Sequence, residues 1–283
     1  MGTSSMYGGP GGGPPKKDPL LPKDFDPQTP DPPQPDSDPE SQDDQDSEEE
    51  QQEDIQREAS PDYPVPEVNW QSAKTAMSKF VSGSAGNLAG AVSGYVKAHG
   101  GGRSASRSMP SGIRTTTGLS RFVNRVATSG FRETLTGYHI EYEGKSATEI
   151  LTQLIAVLAP SPVTREDAIA RKALVVTMEQ LYDFLEEQDM DIMEMDAAGL
   201  NFIVPCYIKS FIYERLLNDL GSRVESADIS PDQALKIEAE LKEYIDAKVE
   251  IVLKGKDFSA NEFNTQEVES LYNQCYTAME IMI

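Results

Sequence analysis

The first sixty-odd residues contain almost no large apolar side chain, and this bounds what the chain can fold into more tightly than any motif does. Burial there cannot offset the backbone entropy lost on ordering, so residues 1–64 are expected to form a disordered arm. MGTSSMYGGPGGGPP opens it, LLPKDF follows as a short apolar patch, and a Pro/Asp/Glu/Gln tract runs on to about Asp62. Like charges extend such a tract, which suits it to act as a tether or as a mask for basic surface elsewhere. The remaining residues suffice for one domain, or for a helical domain with a docked satellite.

The net charge of −22 divides unevenly, with a sign that changes twice. Residues 1–64 carry −13, residues 65–132 carry +8 and residues 133–283 carry −17. A basic island between acidic flanks either binds an external polyanion or pairs with its own neighbours. The two cysteines, Cys206 and Cys275, fall within apolar helical patterns and match neither a disulfide framework nor a zinc site. With no apolar leader and no apolar run long enough to cross a bilayer, the chain is expected to be cytoplasmic and to have no membrane partner.

Apolar spacing predicts an all-α fold in three parts: the acidic arm, a basic Gly/Ser/Arg-rich helical segment over 65–132, and an acidic helical bundle over 133–283. Trp70, Met77, Phe80 and Val81 start the ordered chain, and Leu88, Val92, Tyr95 and Val96 form a second face diluted by Gly86, Gly90 and Gly94. That second helix needs tertiary contacts to persist, and its small residues let another backbone approach. After Gly100–Gly102 the pattern resumes, with Leu119, Phe122, Val123 and Val126 on one face and Arg114, Arg121, Arg125 and Arg132 on another. Downstream, Ser146/Glu149, Thr164/Asp167, Ser230/Gln233 and Asn264/Glu267 read as helix starts of the capping-box type. Leu174, Met178, Leu181 and Leu185 form a core stripe, and Pro205 is placed near the beginning of the helix that carries Ile208, Phe211, Ile212 and Leu216. Tyr138–Tyr142 is the one candidate extended segment.

Catalytic chemistry needs groups that converge, and the inventory is thin. His99 and His139 lack Cys, Asp or Glu at ligand spacing, and the thiols lack a local activator. The acidic run from Glu186 to Asp196 has neither the glycine nor the terminal glutamate of an EF-hand. No catalytic residue, metal or cofactor is therefore expected. Arg103, Arg107, Arg114, Arg121 and Arg125 are the candidate polyanion contacts, with pairing to the chain's own acids as the competing reading.

The N-terminal MGTSSMYGGPGGGPP, the stretch LAGAVSGYVKAHGGGRSASRSM, GL-x-x-F at Gly118–Phe122, EGKSATEI at Glu143–Ile150 and TREDAIAR at Thr164–Arg171 together resemble the QatB family of the bacterial Qat anti-phage defence system. The chain departs from that pattern in the acidic tract and at APSPVT, Ala159–Thr164, where a Cys-Pro-Asp-Gly-Gly-like turn is usual. The resemblance implies a non-enzymatic component with three companions: a P-loop ATPase, a QueC-like protein and a TatD-like nuclease. A QueC-like enzyme activates a carboxylated deazapurine with ATP and delivers it to an amine. Removal of Met1 would expose the unhindered Gly2 α-amine, with a reference pKa near 8, as such a nucleophile. Thr3, Ser4, Ser5, Tyr7, Gly8 and Gly9 are then the residues expected to seat the peptide in the partner. A nucleic-acid-binding adaptor and a structural scaffold are the alternatives.

Overall fold

The computed structural model describes residues 70–83, 86–225 and 229–281. The fold is all-α, with no strand among the described residues. The described residues all belong to one compact unit. The N-terminal arm, including Gly2, Thr3, Ser4, Ser5, Tyr7, Gly8, Gly9 and the acidic tract, lies outside the described residues.

Helix α1 (Gln71–Val81) buries Ala73, Met77 and Val81 against α2 (Leu88–Ala98). Gly94 of α2 faces α1, and a Cβ there would lie 3.5 Å from the Ala73 Cα, an ordinary van der Waals distance that an alanine could also occupy. Packing of α1 on α2 compensates for the low helix propensity of the glycines in α2. At Gly100 and Gly101 φ is +87° and +90°, turning the chain sharply into the short helix α3 (Gly102–Arg107). Gly102 packs on the last helix, α11 (Thr265–Glu280), where a Cβ would sit 2.9 Å from the Thr277 amide nitrogen and 3.0 Å from the Asn273 carbonyl oxygen. The glycine run is therefore a turn and a helix contact combined.

Helix α4 (Pro110–Ser129) is central. It buries the predicted Leu119, Phe122, Val123 and Val126, and also Thr115, Thr116, Thr117 and Ser120 on its other sides. Thr116 donates to the Gly112 carbonyl or shares its hydroxyl with Tyr272, each at 2.8 Å, so that hydroxyl is satisfied in the core. Helix α5 (Phe131–Gly137) folds back on α4, setting Phe131 and Tyr138 edge-on to Phe122.

His139 follows α5 with φ +55°, and the Ile140 amide reaches back to the Leu135 carbonyl at 2.9 Å. This left-handed closure ends the helix without a glycine. The stretch after it pairs with no strand. Instead, the Gln153 side chain accepts from the Glu141 amide and donates to the Glu141 carbonyl, standing in for a neighbouring backbone.

Helices α6 (Ala147–Leu158), α7 (Arg165–Glu187) and α11 all begin in complete capping boxes, from Ser146, Thr164 and Asn264. Ser230 caps α10 (Pro231–Leu253), with Pro231 at its first position. Leu174, Met178, Leu181 and Leu185 are buried as the spacing predicts, where α7 packs along α8 (Ala197–Leu220) in the most extensive helix pair of the fold.

Pro205 corrects the sequence reading. Helix α8 starts eight residues before it, capped by Asp196 on the Gly199 amide, and Pro205 lies inside the helix, where it deprives the Asn201 carbonyl of its usual donor. A four-residue helix, α9 (Ser222–Glu225), follows α8 and lies against α1. One core runs from Ala73 to Met279, so the basic segment and the acidic bundle share their interior.

Candidate functional site

The first turn of α7 ties three helices together. Asp167 closes its own capping box by accepting from the Thr164 amide, and its other oxygen accepts from the Ser111 hydroxyl at 2.6 Å and from Arg114 at 2.9 Å on α4. The Ser111 hydrogen bond above all holds this carboxyl down at about 2. Glu166 accepts from the Ser111 amide at 3.0 Å, satisfying one of the free N–H groups of the first turn of α4. Burial pushes the Glu166 carboxyl upward. Arg165 donates to Asn218 and Asp219 at the end of α8, and Arg171 donates to the Ala159 carbonyl. The TREDAIAR stretch is thus a clamp on α4, α8 and the α6–α7 turn.

Arg215 of α8 occupies the interior beside that clamp, only 7% exposed. It donates to the Ser108 hydroxyl at 2.7 Å and the Ser108 carbonyl at 3.1 Å, just beyond the C-terminal end of α3. Burial works against its charge, and the nearby carboxylates of Glu166 and Asp219 act the other way, so the guanidinium stays protonated. Tyr95 in turn donates to Asp219 at 3.0 Å. His99, buried at the end of α2, stands edge-on to Trp70 and Tyr95 with no hydrogen-bond partner for Nε2. Burial, helped by Arg215, pushes its imidazole down to about 4. Sequence reasoning missed Arg215 because it stands in an apolar run, ERLL, where one cation reads as an interruption.

The five candidate arginines do not converge. Arg107 pairs with Glu269 at 3.3 Å, Arg114 with Asp167, and Arg121 with Glu262 at 3.1 Å. Arg125 lies 5.7 Å from the centre of the Tyr138 ring, and Arg103 is exposed on α3. Other cations are displayed differently. Lys74 and Lys79 of α1 and Arg223 of α9 line an open cleft of about 570 Å³ with Trp70, Thr75 and Ser78, and no acidic side chain among the described residues lines it.

Neither thiol is activated. Burial raises Cys206 to about 11 and Cys275 to about 12. The acids between Glu186 and Asp196 punctuate helices: Asp191 caps a single 3₁₀ turn over Ile192–Glu194, Asp196 caps α8, and Asp189 adopts φ +50° after α7. No group of three or more His, Cys, Asp or Glu side chains among the described residues is placed to hold a metal ion. No described helix is long and apolar enough to cross a membrane.

These features define an all-α protein whose described polar clusters hold helices together. A family model described as Qat anti-phage system associated protein QatB matches residues 100–282. The match spans well over half the chain, and the chain belongs to the QatB family. It takes in α3 to α11, including the clamp and Arg215, and leaves out the N-terminal motif, α1 and α2. No curated protein and no solved structure matches the chain.

Proposed function

We propose that the chain is a non-enzymatic component of an anti-phage defence complex that presents its own N-terminus to a QueC-like partner. MGTSSMYGG enters the partner's cleft as an extended peptide, with Thr3, Ser4, Ser5, Tyr7, Gly8 and Gly9 seating it. The neutral Gly2 amine attacks the ATP-activated carboxyl carbon of a deazapurine, an amide forms as the activating group leaves, and the amine gives up a proton. The helical body serves as the platform that keeps the component in the complex, with a P-loop ATPase and a TatD-like nuclease as further companions.

The observation that carries this reading is the state of the buried thiols and of His99 in the described helical body. The thiols of Cys206 and Cys275 are buried and raised, and His99 is enclosed by aromatic rings and held neutral. That state supports seeking the nucleophile in the N-terminal amine and the activating machinery in a partner. The test is the intact mass of the chain co-expressed with the QueC-like protein. A deazaguanine-sized adduct on the N-terminal peptide, lost in Gly2→Pro, is expected; an unmodified terminus overturns the conjugation step.

A further inference from the structure

We infer that the cleft between α1 and α9 is a binding site for the phosphate backbone of single-stranded nucleic acid, held by Lys74, Lys79 and Arg223, with Trp70 at one end. The outward stripe of α1 is Gln71, Thr75, Ser78 and Ser82, one residue per turn, and Lys74 and Lys79 stand on either side of it at the helical angle of about 100° per residue. The opposite face, with Ala73, Met77 and Val81, is spent on the core. From Gln71 to Val81 the helix has no acid, in a chain whose net charge is −22. Arg223 approaches the same cleft from α9.

The Thr75 and Ser82 hydroxyls donate to carbonyls of their own helix, so the cations supply the donors here, and amine and guanidinium donors without an acceptor-only charge are a set that contacts phosphate in nucleic acids. An aromatic ring beside such a groove is the usual platform for an unstacked base. Trp70 packs on Tyr95 and His99, at centroid distances of 5.3 and 4.9 Å, and also lines the cleft, so its position there is fixed. An acidic peptide would satisfy the cations and leave the ring without a role, which favours a single strand. Lys74, Lys79 and Arg223 pair with no described acid, whereas Arg107, Arg114 and Arg121 each do. This site is independent of the Gly2 reading and uses none of its residues.

Trp70 is the only tryptophan of the chain, so its emission reports on this cleft and on no other surface. Titrating the full-length protein with a twelve-nucleotide oligothymidylate at low salt is expected to change that emission saturably. Three phosphate contacts on a single strand give a log–log salt slope of about −2, or roughly 20-fold weaker binding between 50 and 200 mM salt. Lys74→Glu with Lys79→Glu and Arg223→Glu is expected to abolish the change, and the Arg, Arg and Lys exchanges at those positions to retain it. If the triple reversal does not fold, the single variants Lys79→Glu and Arg223→Glu, both at exposed positions, are each expected to lower the slope by about 0.7. An unchanged tryptophan signal, binding that survives charge reversal, or equal affinity for polyglutamate of matched charge overturns the assignment.

Discussion

Arg107, Arg114 and Arg121 carry the same charge as Lys74, Lys79 and Arg223, and all six belong to or adjoin the basic part of the chain, yet the two sets are placed oppositely. The arginines face acids of α7, α11 and the loop before α11 across distances of 2.9 to 3.3 Å. The other three face an open cleft without a described acid. The cations over 65–132 are thus divided between internal pairing and display, with Arg223 of the acidic bundle joining the displayed Lys74 and Lys79. Charge summed over a segment measures what is present, and only the elements packed against it decide what remains for a partner. Arg215 is the extreme of the first class: it lies inside the protein, bonded to the Ser108 carbonyl and hydroxyl, with the half-buried Glu166 and Asp219 nearby.

The largest effect that sharpens this comparison is expected at Arg215. Removing the side chain in Arg215→Ala leaves the Ser108 carbonyl without its donor and strips Glu166 and Asp219 of the nearby cation. Its two hydrogen bonds to Ser108 are each worth about 1.5–3 kcal/mol for a charged donor, so their loss should cost about 3 kcal/mol or more. Denaturant unfolding should show a loss of that order or failure to fold, and a variant as stable as the parent would place Arg215 with the surface arginines.

His99 sits beside the same node, and its contribution is read from pH. The folded imidazole titrates near 4 and the unfolded one near 6.5, so its stabilisation is fully present above about 6.5 and is lost as pH falls toward 4. The full shift corresponds to at most roughly 3 kcal/mol. Glu166 acts with the opposite sign, because its raised carboxyl binds a proton more readily in the folded state. His99→Phe keeps an aromatic ring against Trp70 and Tyr95, and should flatten the stability curve between pH 6.5 and 4 relative to the parent. An unchanged curve would show that another group sets the acid limb.

Gly102→Ala tests the contact that brings the basic segment onto α11. Its Cβ would meet main-chain atoms of Thr277 and Asn273, which cannot rotate away as a side chain does. Overpacking of this kind costs about 1–3 kcal/mol, to be measured as a lowered denaturation midpoint. Full stability would mean that α3 and α11 separate at little cost.

Much of the fold is legible in the sequence where large apolar residues or helix starts carry it. The stripe from Leu174 to Leu185 and the boxes at Ser146, Thr164 and Asn264 are legible because spacing and capping are local physics. Helix α4 is only half legible. Its Thr and Ser positions are buried too, with Thr116 bonded to the preceding turn and Ser111 and Ser120 to other elements, so no apolar period marks those faces. The start of α8 is hidden because Pro205 suggests a boundary, while the actual cap, Asp196, precedes small residues of weak pattern.

The candidate site is legible in part. TREDAIAR stands out as a motif, but its partners Ser111, Asn218 and Asp219 lie more than fifty positions away, and no local signal joins them. The α1 lysines do not stand out either. Lys74 and Lys79 acquire a meaning only when α9 brings Arg223 to the same cleft.

The smallest expected effect concerns the pairs that occupy the arginine set. Arg121 and Glu262 are 57% and 44% exposed, and the attraction between them is screened by water and salt while both side chains give up rotamer freedom. A double-mutant cycle with Arg121→Gln and Glu262→Gln should therefore return a coupling of about 0–1 kcal/mol that shrinks further at high salt. The same cycle at Arg114 and Asp167 should return more, because Asp167 is only 20% exposed and also holds Ser111 and the cap of α7. That ordering decides how firmly the basic helix is tied to the acidic bundle: a weak Arg121 pair can be exchanged for an external phosphate at little cost to stability, whereas releasing Arg114 disturbs the clamp. If the two cycles return equal values, exposure is not what ranks these arginines, and the division between internally paired and displayed cations must rest on the acids around them alone.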